Sequence, residues 1–145
     1  MTARSFVCAY RITRMAQWIA CVACLVALPT LAAAQALEPG RTWTSLHGST
    51  LIIQSVSQDG SFTGTFTNRR KGFSCSGVPY AVTGWQDGII VAFSVRFDDG
   101  TPKGNCQAVA SWVGYLVNND IEAYWDMIYL KSAAPKRLHG QDTFR

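Results

Sequence analysis

Hydrophobic and polar residues alternate with a period of two along much of the chain beyond its first third. In the stretch from Ile89 to Phe97, Ile89, Val91, Phe93, Val95 and Phe97 fall on one face, while the other ends in Ser94 and Arg96. From Ser61 to Asn68, Phe62, Gly64, Phe66 and Asn68 alternate with Ser61, Thr63, Thr65 and Thr67. Such alternation marks a half-buried strand, because successive side chains of a strand point to opposite faces. Turn-forming residues punctuate the pattern at Gly48, Gln58-Asp59-Gly60, Gly72 to Pro79, Gln86-Asp87-Gly88, Asp98 to Gly104, Asn118-Asn119-Asp120 and Ala133 to Gly140. Seven turns separate eight short strands, and no helical period appears after the first third. An antiparallel up-and-down barrel or a sandwich accommodates such a series, and a barrel of this strand number can hold one small ligand.

The first third reads differently. Met1 to Arg14 carries Arg4, Arg11 and Arg14 and no acid, and Met15 to Leu31 is mostly apolar. Ala34-Gln35-Ala36 then supplies small residues at the spacing that signal peptidase recognises. Residues 1–36 are therefore expected to be an export signal and residues 37–145 the mature domain, secreted or periplasmic. Gln17 and Pro29 interrupt the apolar run, which argues against a retained membrane anchor. Cys21 and Cys24 lie inside that run instead of at its end, which argues against a lipoprotein signal.

Removing the leader changes the charge. The chain has thirteen Lys and Arg residues, three of them in the leader, so ten remain against all nine acids. The mature domain is nearly neutral, so no nucleic-acid partner is implied. The leader also takes Cys8, Cys21 and Cys24 and leaves Cys75 and Cys106, in GFSCSG and PKGNCQ, as an expected disulfide in an oxidising compartment. Closing a loop of about 30 residues stabilises a fold by roughly 3 kcal/mol. Free thiols or a metal pair are the alternatives, disfavoured by the lack of nearby His.

Five short strings resemble the avidin family, in its order and with plausible spacings. WTSLHGSTLII resembles its first hairpin, GSFTGTF its third strand, SWVGY and EAYWDMIYL the strands that carry binding tryptophans, and GQDTF its closing strand. The resemblance runs from about Gly40 to Phe144, and Cys75, Cys106, VPYAVTG and AFSV are most similar to the short, dimeric, rhizavidin-like branch. It implies an all-β, eight-stranded antiparallel up-and-down barrel that binds biotin non-catalytically, with no cofactor.

The resemblance also implies a site. Asp142 matches the aspartate that accepts a hydrogen bond from a ureido N–H of biotin. A buried carboxylate needs such a donor, and a cyclic urea supplies one beside a polarised carbonyl. Ser45, Ser49 and Phe66 match the donors to that carbonyl, but Ser45 stands where Asn is usual, and Phe66 lacks the hydroxyl of the usual Tyr. Asn68 matches the acceptor for the second ureido nitrogen. Trp112 and Trp125 match ring-packing tryptophans, Phe97 replaces a third, and Trp43 matches a residue of the barrel base. Ala108 and Ala110 replace a Ser and a Thr that hydrogen-bond the ligand's carboxylate and sulfur. These losses predict weaker binding than in typical avidins. Arg69, Arg70 and Lys71 follow Asn68 and read as a solvated loop, with holding the ligand's carboxylate as their alternative role.

Other chemistry is sparse. His47 and His139 are the only near-neutral bases, and Ser49, His47 and Asp142 lack a nucleophile elbow, so no enzyme is expected. Asp98-Asp99-Gly100 reads as a turn and not a calcium loop, and no metal site is implied. If Ala108, Ala110 and Trp112 point inward, then Val109, Val113, Tyr115 and Val117 point outward, joined by Ile128 and Leu130. That apolar face predicts a homodimer. Tetrameric avidins borrow a Trp from a neighbour through the loop before the last strand, and Ala133 to His139 contains none. The rival expectations are a barrel of the same fold that takes another small ligand, and a structural or inhibitory barrel with a filled interior.

Overall fold

The structure, a computed structural model, describes residues 35–145; most of the expected leader lies outside the described residues. Eight strands follow in chain order: β1 (Thr42–Thr44), β2 (Thr50–Val56), β3 (Ser61–Thr67), β4 (Pro79–Asp87), β5 (Ile90–Arg96), β6 (Ala108–Val117), β7 (Asp120–Lys131) and β8 (Ala134–Phe144). Each pairs antiparallel with the next in one sheet. The sheet closes where Thr44 and Arg145 exchange backbone hydrogen bonds of 2.7 and 3.0 Å and Ser45 bridges Phe144. The expected up-and-down barrel is thus the architecture observed, and the sandwich is excluded.

Alternation along each strand sends one set of side chains inward. Phe62 and Phe66 of β3, Val91, Phe93 and Val95 of β5, and Phe144 of β8 are buried, as is Trp43 at 0% exposure. The indole N–H of Trp43 donates to the carbonyl of Asn119 at 3.3 Å, so its polar atom is satisfied where its ring is buried.

Two details of the sequence pattern are corrected. Ile89 does not share the inward face; it is 51% exposed, beside the Gly88 turn, and that face begins at Val91. The stretch from Ala134 to Gly140 is strand and not loop, paired residue for residue with Trp125 to Lys131. Its turn is Ser132-Ala133, with φ of 52° and 63°. Hairpins of this kind need positive φ at both central residues, which Asn and Gly signal, as Asn118-Asn119 does in the preceding hairpin. Ser and Ala give no such signal, whereas Pro135 and Gly140 suggest a loop. Pro135 is tolerated because this part of β8 pairs only with β7 and so forms an edge.

The up-and-down order sorts the turns between two ends. The β1–β2, β3–β4, β5–β6 and β7–β8 connections lie at one end, and the β2–β3, β4–β5 and β6–β7 turns at the other. At the first end Cys75 and Cys106 form the expected disulfide, with Cα atoms 6.1 Å apart, tying the β3–β4 connection to the β5–β6 connection. Among the described residues no helix is long and apolar enough to cross a membrane.

Candidate functional site

A cavity of about 220 Å³ opens at the disulfide-tied end. That is below the ~300 Å³ at which pockets for drug-sized ligands begin, so a small ligand is implied. Its walls come from the β1–β2 turn (His47, Ser49), the end of β3 and the connection after it (Phe66, Asn68, Arg70, Lys71, Gly72, Phe73), β6 (Trp112), β7 (Trp125, Met127) and β8 (Leu138, Asp142). Six of the ten expected ligand-binding residues border it: Ser49, Phe66, Asn68, Trp112, Trp125 and Asp142.

The other four are buried behind it. Phe97, at 0% exposure, is boxed in by Phe66, Phe73 and Tyr80, with ring centroids 6.2, 5.1 and 5.1 Å away. Ala108 and Ala110 are buried on β6. Ser45 is buried at the β1–β2 turn, where its hydroxyl oxygen accepts from the backbone N–H groups of His47 and Ser49 at 3.3 and 3.2 Å.

The aromatic walls support one another. Trp112 stacks on Phe93 at 4.9 Å with an interplanar angle of 7°, and Phe66 packs on it at 4.8 Å. Offset and tilted pairs of this sort contribute about 0.5–1.5 kcal/mol each beyond burial, which holds the indole in place. Trp125 lies opposite Gly140 across β7 and β8, and a Cβ on that glycine would come within 2.9 Å of the indole ring. Gly140 therefore makes room for Trp125 at the wall. The guanidinium of Arg70 sits 5.8 Å from the centre of the Trp125 ring, a cation–π distance that places it at the mouth.

The polar groups have an unusual balance. Oδ1 of Asp142 and Nε1 of Trp112 are buried and have no hydrogen-bond partner. One is an acceptor and the other a donor, and each costs about 1–3 kcal/mol when left unpaired. The Ser49 hydroxyl accepts from the backbone N–H of Arg69 at 3.0 Å, which leaves its proton free to donate. Oδ1 of Asn68 accepts from the backbone N–H of Arg70 at 2.8 Å. That bond fixes the orientation of the amide and leaves one lone pair and two N–H donors. Burial pushes the Asp142 carboxyl above its ordinary value of 3.8, opposed by the charge of His47, the Ser45 hydroxyl, the backbone of Thr143 and the charge of Arg70. Asp142 is thus a costly buried acceptor facing a basic rim of His47, Arg70 and Lys71. Among the described residues no hydrogen bond joins Ser49 to His47, and no cluster of side chains fits a metal ion.

His47, Phe73, Met127 and Leu138 border the cavity without having been singled out as ligand-binding from the sequence. Met127 had a readable signal, since it lies two residues beyond Trp125 and so shares its face. Leu138 had none, because the stretch around it reads as loop and a loop gives no face.

Comparison with known proteins adds the following. A sequence model described as the Avidin family matches residues 33–144. Afifavidin of Afifella pfennigii is 31% identical over 107 residues, covering 71% of this chain and 65% of its own, so this chain spans just under two thirds of that relative's length. A rhizavidin–biotin complex superposes with a TM-score of 0.66 at 37% identity, covering 74% of this chain and 90% of rhizavidin. Apo shwanavidin gives 0.67 at 34% identity, over 76% and 96% of the two chains. A bradavidin2–biotin complex gives 0.66 at 32% identity, over 74% and 96%.

Proposed function

The chain belongs to the avidin family, and from that premise we propose that it is an exported, non-catalytic binder of biotin or a close relative. The observation that carries this reading is the buried Oδ1 of the half-buried Asp142 carboxylate, which has no hydrogen-bond partner. A group so placed raises the energy of the ligand-free chain, and a ligand N–H relieves it with a charge-assisted hydrogen bond. A cyclic urea fits, because its carbonyl can accept from the free proton of Ser49 while a ring nitrogen donates to Asp142 and the bicycle packs on Trp112 and Trp125. The remaining lone pair of Asn68 suits the second nitrogen. Phe66 gives the ureido oxygen no hydroxyl, and Ala108 and Ala110 give the tail and sulfur none, so binding is weaker than in relatives that keep those groups. Each missing bond costs about 0.5–1.5 kcal/mol, and biotin–streptavidin lies at the ceiling of non-covalent affinity, so useful binding survives these losses. The test is titration with biotin, read by quenching of Trp112 and Trp125 fluorescence. A small ligand other than biotin, or a filled structural barrel, is indicated by no quenching and no heat in calorimetry; the 220 Å³ cavity argues against the filled barrel.

The rim supports a finer reading in which Arg70 and Lys71 hold the ligand's carboxylate where the family's serine is replaced by Ala108. Arg70 and Lys71 border the cavity, whereas Arg69 is tied to Ser49 through its backbone. Exposed ion pairs contribute about 0–1 kcal/mol, so the expected preference for biotin over its neutral amide is severalfold at most. It fades at high salt and disappears in Arg70→Ala, while Arg69→Ala retains it. Equal binding of acid and amide at low salt removes this role.

The outer face supports a dimer. Across four strands Trp85 pairs with Ala92, Ala92 with Val113, and Val113 with Tyr124, and Ile90 pairs with Tyr115 beside them. Trp85, Val113 and Tyr124 are 62%, 57% and 61% exposed, and Val109, Ile128 and Leu130 extend the patch. Val117, at the hairpin, is only half-exposed. A face of this kind is best buried against its own copy by a two-fold axis. Light scattering at micromolar concentration is expected to give twice the monomer mass; the monomer mass itself defeats the reading.

A further inference from the structure

The end of the barrel away from the cavity is crossed by the residues that precede β1. Gln86, near the end of β4, holds them with both halves of its amide. Its oxygen accepts from the backbone N–H of Leu37 at 2.9 Å, and its nitrogen donates to the carbonyl of Gln35 at 2.9 Å and to that of Gly88 at 2.7 Å. The side-chain amide of Gln35, turned with its nitrogen toward the Leu116 carbonyl and its oxygen toward the Asn118 N–H, pairs with both at 3.1 Å. Between these anchors Leu37 is 3% exposed and belongs to the core. The β4–β5 and β6–β7 hairpins are thereby linked by a strap of three residues.

This placement bears on where the leader ends. The spacing Ala34-Gln35-Ala36 sets the boundary after Ala36, which would make the nitrogen of Leu37 the terminal ammonium. That nitrogen belongs to a residue almost wholly removed from solvent, with a single neutral amide oxygen as its partner. Cleavage there would remove both groups of Gln35 that bond to the barrel and leave the strap held only through Leu37. Ala32-Ala33-Ala34 meets the same small-residue spacing two positions earlier. Cleavage after Ala34 leaves the new ammonium on Gln35, which retains access to solvent.

We propose that export processing cuts between Ala34 and Gln35, and that the mature amino terminus is a strap, Gln35 to Leu37, locked across the end of the barrel opposite the cavity. The step is peptide hydrolysis by an export peptidase: water adds across the bond, leaving a carboxylate on Ala34 and an ammonium on Gln35. The strap then keeps water out of the aromatic core that supports the ligand walls from behind.

The experiment is to export the full chain from a bacterial host and identify the N-terminal peptide by mass spectrometry. A peptide starting at Gln35, intact or lighter by one ammonia from cyclisation of the terminal glutamine, is the expected result. A start at Leu37, any later start, or an uncleaved leader overturns it. A second measurement compares chains released by a site-specific protease to start at Gln35 and at Leu37. The longer chain is expected to melt several degrees higher, since loss of a few hydrogen bonds is resolvable in a domain of this size. Equal melting temperatures overturn the strap even if the cleavage site is right.

Discussion

Replacing Asp142 with Ala is expected to weaken biotin binding about ten- to a hundredfold, the worth of a hydrogen bond to a charged group at about 1.5–3 kcal/mol. The same carboxylate makes two opposite pH dependences. Burial holds its folded pKa above the ordinary 3.8, so the folded chain binds the proton more tightly than the unfolded chain does. Its contribution to ligand-free stability is therefore full below pH 3.8 and is lost as pH rises through the raised folded value. Asp142→Asn, which carries no charge to desolvate, is expected to melt above the wild type at pH 7, the advantage vanishing below pH 3.8. Binding runs the other way, because the ionised carboxylate accepts a ureido N–H in a charge-assisted hydrogen bond, about twice as strong as the bond to a neutral carboxyl oxygen. Affinity is expected to fall as pH drops through that folded value, and Asp142→Asn to lack that dependence. Calorimetry across pH, with parallel melting curves, checks both; a flat affinity profile for the wild type contradicts the role given to Asp142.

Phe66→Tyr is expected to raise biotin affinity by about 1–3 kcal/mol, roughly five- to over a hundredfold, by giving the ureido oxygen a donor. The ring is already positioned, held at 4.8 Å from Trp112 and flanked by Phe97 and Phe144 at 6.2 and 6.4 Å. Those neighbours are apolar, so in the ligand-free chain the added hydroxyl has few partners, and the variant is expected to melt below the wild type. The combination of lower ligand-free stability and tighter binding distinguishes a completed site from a general improvement in packing. Unchanged affinity means that another ligand occupies the cavity or that biotin sits differently.

The alternation at Ser61 to Asn68 and at Val91 to Phe97 determined the strands and their inward faces, because a half-buried sheet admits no other period. Counting cysteines outside the expected leader pointed to the disulfide, and five short motifs pointed to the family. Asp142 was legible as a candidate because a carboxylate in a closing strand matched a known pattern. The tertiary structure decided what period and motif do not encode. The β7–β8 hairpin turns on Ser132-Ala133, whose positive φ values carry no sequence signal and are imposed by the pairing of the long strands on either side. That register put Leu138 at the cavity and Gly140 beneath Trp125. The same long-range closure packed Phe97, Ala108 and Ala110 behind the cavity, left Oδ1 of Asp142 without a partner, and chose Arg70 over Arg69 for the rim. Each outcome depends on which segments distant in sequence meet, and that is fixed only when eight strands close around one core.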